Sequence, residues 1–379
     1  MRRLMVAFVA LAFLLGSGTT LAAGEDTAAT GTFTTTASLA EARQNHTATL
    51  LPDGRVLVVG GKDVDGPLAS AEVWDPATAS SSPAGSLAEA RMAHTATPLP
   101  DGRVLVIGGV DGVALRRLAS AEVWDPDTAS FSPAGSLAEA RSYHTATPLP
   151  DGRVLVIGGW DSDDGSLASA EVWDPPTGTF TPAGSLIEAR DGHTATLLPD
   201  GGVFVVGGWN DDEDILASAE VWDPATVSFG PAGSLAEARM FHTATPLPDG
   251  RVLVVGGSGS YLEDLLSSAE VWDPATVSFS PAGSLAEARM FHTATPLPDG
   301  RVLVVGGSGS YLEDLLASAE VWDPTTASSS PAGSLAEARM VHTATPLPDG
   351  RVLVVGGGDG FVAFASAEVW DPKPPPTTE

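Results

Sequence analysis

The stretch RMAHTATPLPDGRVLVIGG, residues 91–109, decides the architecture. His94 to Leu99 reads as one short strand. Asp101-Gly102 suits a two-residue hairpin turn of type I′. Val104 to Gly108 is an apolar run, the pattern of a strand buried on both faces. Gly108-Gly109 then ends the strand. Reading on, a variable stretch leads to Ser120–Trp124, a third strand closed by Asp125-Pro126. Phe131–Leu137 carries a fourth, where Pro133 fits an outer strand because a missing N–H costs little there.

The phrase then returns. His46, His94, His144, His193, His242, His292 and His342 are all the histidines of the chain, each in Arg-x-x-His-Thr-Ala-Thr. Four short strands recurring at a period of about 50 residues make a propeller blade. Seven copies of the first three strands are present. The last copy stops at Trp370-Asp371-Pro372 without its fourth strand. Thr30–Thr34 repeats Thr177–Thr181, and Ser38-Leu39 matches Ser185-Leu186. The expected fold is therefore an all-β, seven-bladed propeller over residues 24–372, its last blade closed by the N-terminal strand so that no sheet edge stays open.

Residues 1–23 read as a signal peptide: Arg2-Arg3, an apolar run from Leu4 to Leu15, and small residues around Ala22-Ala23. The expectation is secretion or display on a bacterial cell surface, with no membrane attachment after removal. Residues 373–379 read as a Pro/Thr-rich extended tail. The net charge of −29 repels phosphate backbones, so nucleic acid is excluded as a partner. With no cysteine, disulfides, thiolate metal sites and cysteine nucleophiles are excluded.

The paired glycines after an apolar strand (Gly108-Gly109, Gly158-Gly159, Gly256-Gly257) and the aromatic of Glu-Val-Trp-Asp-Pro resemble the kelch repeat over residues 28–372. The resemblance implies a kelch-type propeller with the first strand of each blade lining the central channel. Two departures stand out. Trp74, Trp124, Trp173, Trp222, Trp272, Trp322 and Trp370 occupy the place of the family's usual Tyr. The family's later Trp is here Phe131, Phe180, Phe229 or Phe279, and Ser81 or Ser329 in blades one and six. Galactose-oxidase-like copper enzymes share this propeller, but their Tyr–Cys cofactor cannot form without cysteine, and no cofactor is expected.

The seven histidines and the seven tryptophans read as structural repeats, each imidazole bonding to backbone in its own blade. A seven-fold ring spaces imidazoles too far apart for the close tetrahedral set that zinc prefers. Glu122, Arg141 and their equivalents should pair between strands or neighbouring blades, since buried charges need partners. Asp161, Asp163, Asp211 and Asp214 offer hard oxygens and are weak calcium candidates, without the twelve-residue calcium loop.

Variation between repeats is confined to two zones: the pair before each His, and the loop after Gly-Gly. Alternating strand directions place both on one face of the disc. Candidate ligand-binding residues there are Tyr143, Trp160, Asp161, Trp209, Asp211, Phe241, Tyr261, Phe291, Tyr311 and Phe361, because exposed aromatics stack on sugars or protein. The expected function is a monomeric, non-catalytic scaffold for a protein or glycan. The alternative is a carbohydrate-active enzyme with one asymmetric cluster near Asp161, Asp191 and Trp209. The near-identity of Met240–Leu266 with Met290–Leu316 favours a scaffold, which tolerates blade duplication better than a single asymmetric site does.

Overall fold

The computed structural model describes residues 30–112, 115–211, 215–260, 264–310 and 314–372. The signal-peptide and tail expectations lie outside these residues, as do Tyr261, Tyr311 and Asp214. Among the described residues, seven four-stranded antiparallel sheets are arranged as blades, and four of them carry a two-stranded ribbon in the loop between their second and third strands. Blade two is representative. Its innermost strand is Thr95–Pro98, followed by Val104–Ile107, Ser120–Asp125 and the outer strand Ser130–Ser136. Blade seven pairs Ala367–Pro372 with the N-terminal strand Gly31–Thr36, in register from Gly31 opposite Pro372 to Thr36 opposite Ala367. The chain is thus an all-β, seven-bladed propeller closed by its own N-terminal strand.

The core lies between blades rather than within them. The second strand of every blade is fully buried, as its unbroken apolar run requires. Each Trp packs against the preceding blade: Trp124 joins a cluster with Leu57, Val59, Val73 and Leu87. Its Nε1 donates to the Ala84 carbonyl of that blade at 2.9 Å. The same bond recurs from Trp173, Trp222, Trp272, Trp322 and Trp370.

Trp74, at the junction with blade seven, has no acceptor for its buried Nε1. Six outer strands carry Pro-Ala-Gly with a bulge, as between Ser120 and Glu122. The N-terminal strand has Thr35-Thr36-Ala37 instead and pairs without one. Thr36, standing where Ala84 does, has a buried Oγ1 that is also unpartnered.

The repeated Arg and Glu tie each inter-blade link to the blade it enters. Arg91 is fully buried. Its Nη1 donates to the Gly108 and Ser120 carbonyls, and its Nη2 to Glu122 Oε1 at 2.9 Å. Glu122 Oε2 accepts the Ala88 amide from the incoming link at 2.9 Å. A buried ion pair of this kind persists only when its remaining donors and acceptors are satisfied, as here. In blades one and six, Ser81 and Ser329 use the freed space to donate to Glu72 and Glu320.

The Pro-Asp-Gly turn differs from the expected type I′. Only Gly102 has positive φ (+87°), and its amide donates to the Leu99 carbonyl. The loop is therefore the three-residue kind, Pro100–Gly102, with glycine in the left-handed position. Gly108 must be glycine for a different reason: at φ +61°, a Cβ would sit 2.6 Å from the Arg141 carbonyl oxygen of the next link.

Candidate functional site

The two variable zones meet, as bridges between Gln44 and Lys62, Met92 and Val110, Ser142 and Trp160, and Asp191 and Trp209 show. The residue before each His turns left-handed: Asn45, Ala93, Tyr143, Gly192, Phe241, Phe291 and Val341 have φ between +49° and +60°. Side chains other than Gly, Asn and Asp rarely adopt this conformation, so the surrounding structure must impose it. At six of the seven it is held by backbone bonds passing from blade to blade around the axis. Ala93 N–H donates to the Asn45 carbonyl, Tyr143 to Ala93, Gly192 to Tyr143, Phe291 to Phe241, Val341 to Phe291 and Asn45 to Val341.

These residues rim a depression of about 340 Å³ at the mouth of the axial channel, floored by the seven histidines. Each His Nε2 bonds the Thr Oγ1 of the preceding blade's innermost strand at 2.9–3.0 Å, as His94 does with Thr47 and His46 with Thr343. This bond to the neighbouring blade stands beside the expected local backbone contact, to the Arg three residues earlier. The first strands converge on the axis, so the nearest polar group is the neighbouring hydroxyl. Each Nδ1 is buried, its backbone contact to that Arg being outside ordinary hydrogen-bond geometry. Burial, reinforced by the Arg guanidinium three residues earlier, lowers His94, His193, His242 and His342 to about 3. His46, His144 and His292 are lowered in the same way, well below the usual value.

The rim is not seven-fold. Phe241 and Phe291 pack ring against ring, centroids 4.2 Å apart. Tyr143 stands 41% exposed. Beyond Tyr143 lies a cluster on blades two to four. Trp160 and Asp161 pair with Gly165 and Ser166 in a short ribbon. Asp211 Oδ1 accepts from Trp160 Nε1 at 3.4 Å, and its Oδ2 accepts the Ser166 amide. Ser166 Oγ donates to Asp191 Oδ2 at 2.9 Å. Burial raises Asp191 to about 7; the Asp211 charge adds to this, while Ser166 and Arg117 oppose it. The Arg117 guanidinium lies over the Trp160 ring, 4.0 Å from its centroid.

The structure therefore brings together Tyr143, Trp160, Asp161, Asp211 and, through its bridge to Asp191, Trp209. Phe241 and Phe291 share the rim. Phe361, 56% exposed, stands on the seventh blade, away from the cluster. Arg117 and Ser166 were not singled out in the sequence. The available signal was Arg116-Arg117, the only adjacent arginine pair beyond residue 3.

Among the described residues, no three His, Cys, Asp or Glu side chains converge as a metal-binding group. Asp163 and Asp161 make no ligand set with Asp211, whose oxygens face Trp160 and Ser166.

The kelch motif matches residues 91–138 and 141–187, the second and third repeats. No curated protein matches the chain significantly. Among solved structures, it is similar to a fungal alcohol oxidase of the AA5 family, in complex with copper. The TM-score is 0.74 and the identity 20%, covering 90% of this chain and 76% of that one. At that identity the likeness is one of fold. A copper site does not fit the described residues: the imidazoles are engaged with threonines and there is no cysteine. Matched motifs in two repeats, and the same phrase in register around a closed ring of seven blades, identify this chain as a kelch-repeat β-propeller.

Proposed function

We propose that this propeller is an exported, non-catalytic scaffold that binds a protein or glycan on its variable face, around the mouth of the channel. The observation that carries the reading is an asymmetry. Strands, turns and buried ion pairs repeat almost unchanged through seven blades, while differences collect where the two variable zones bond to each other. There the blades present Tyr143, Phe241, Phe291 and Trp160 beside Asp191 and Asp211. Rigid aromatics of this kind cost little ordering entropy on binding and dominate contact energy.

The test is a protein and glycan binding screen on the intact chain, repeated with Tyr143→Ala and Phe291→Ala. Saturable binding weakened about tenfold by either change supports the placement, since buried aromatic contacts are commonly worth that much. Binding indifferent to both changes refutes it. A second reading, a carbohydrate-active enzyme, draws support from Asp191, whose raised value of about 7 suits a proton donor. Release of product from a bound glycan, abolished by Asp191→Asn without loss of affinity, would favour that reading.

A further inference from the structure

Every described arginine except Arg117 lies within ion-pair distance of a carboxylate. Its neighbour Arg116 takes both Glu89 and Asp111. Arg117 Nη1 reaches only the Leu115 carbonyl, at 2.7 Å, and its buried Nε has no acceptor. In a chain with net charge −29, carboxylates are abundant and a cation without one is conspicuous. The guanidinium carbon instead lies over the Trp160 ring, 4.0 Å from its centroid, in the electrostatic reach of Tyr143, Asp161 and Asp191. The ring contact and the Leu115 carbonyl hold the guanidinium in place, and its planar fork is the shape a bidentate carboxylate contact needs.

From this geometry we infer that Arg117 receives the carboxylate of an acidic sugar, a uronate-type residue, whose ring lies against the exposed Tyr143. The inference rests on the scaffold reading of this face and names its ligand class. A sugar is favoured over an acidic peptide by the surroundings. One cation stands among Asp161, Asp191 and Asp211, which accept bonds from hydroxyls and repel any further carboxylates. A ligand with a single negative charge and many hydroxyls meets both conditions. A peptide with several acidic side chains meets only the first, and the field of the whole chain opposes it.

The test uses titration calorimetry on the intact chain with glucuronate-terminated oligosaccharides, their methyl esters and the neutral glucose-terminated parents. The acid is expected to bind at least roughly tenfold more tightly than ester or parent, the usual scale for a charge-assisted hydrogen bond. Arg117→Gln should erase the difference between acid and ester. The ester arm alters only the ligand, so the answer does not depend on the variant folding. Equal affinity for acid and ester overturns the inference, as does a preference that survives Arg117→Gln. Binding of a glutamate-rich peptide through Arg117 in place of the sugar overturns the ligand class. If no uronate binds but another protein or neutral glycan still does so in a Tyr143-dependent way, this inference falls and the scaffold reading stands. If nothing binds at all, both fall.

Discussion

Lowering the pH should unfold this protein through its histidines. Each of the seven rings is buried and neutral in the fold, with the values that are resolved near 3. Unfolded, each returns to an ordinary value near 6.5. A group depressed by folding contributes stability that is complete above its unfolded pKa and is lost as pH falls towards the folded one. At pH 5.5 the loss per ring is about 1.4 kcal/mol, wherever below that pH the folded value lies. Seven rings give about 10 kcal/mol, comparable to the whole stability of an ordinary domain. Asp191 has the opposite sign. Raised to about 7, it favours the fold at low pH and returns about 2 kcal/mol between pH 7.5 and 5.5. The net loss over that interval is about 8 kcal/mol, and unfolding at pH 5.5 should take up about five protons. Urea unfolding at the two pH values measures the first quantity. Calorimetry in two buffers of different ionisation enthalpy counts the protons without a two-state assumption. An uptake of one proton or fewer at pH 5.5 would refute the reasoning, because the rings would then already be charged or hydrated in the fold.

Other expectations follow from the interfaces between blades. Trp124→Phe removes the bond to Ala84 and should cost about 1–2 kcal/mol more in urea unfolding than Trp74→Phe, whose Nε1 has no acceptor to lose. Equal costs would mean that the seam between blades one and seven is bonded like the others. Arg91→Met strands the Glu122 carboxylate in a dry interface and should cost about 3–5 kcal/mol, measured the same way. Gly165→Ala would drive a methyl into Asp211 Oδ2 at a backbone φ of +77°. It should cost about 1–2 kcal/mol and shift the fluorescence of Trp160, leaving the other blades unchanged.

The architecture was legible because its determinants are local and repeated. The apolar run Val104–Ile107, the Asp125-Pro126 stop and the orphan Thr-Gly-Thr-Phe-Thr each state their role within a few residues. What the sequence concealed were relations between blades. His94 and Thr47 are 47 residues apart, and nothing in either phrase says that they touch. The left-handed turn at Val341 is likewise set by the ring of backbone bonds, against the preference of a β-branched residue. At the site, aromatic side chains drew attention to Tyr143, Trp160 and Trp209; Tyr143 lies on the rim, and Trp160 and Trp209 bridge to Ser142 and Asp191. Arg117 was missed because its distinction is the lack of a counter-ion, and only coordinates reveal that.

The pairing of Gly31–Thr36 with Ala367–Pro372 also has a mechanical side. The strands are antiparallel, and Gly31 lies opposite Pro372, so both ends of the propeller leave from the same point on its rim. Tension applied between them would load that ladder one rung at a time, as a zip is opened, rather than all rungs together. The ring resists heat through every blade but would resist a pull on its two ends through a single hydrogen bond at the start, so it is suited to hang from one end and poorly suited to serve as a link in a chain.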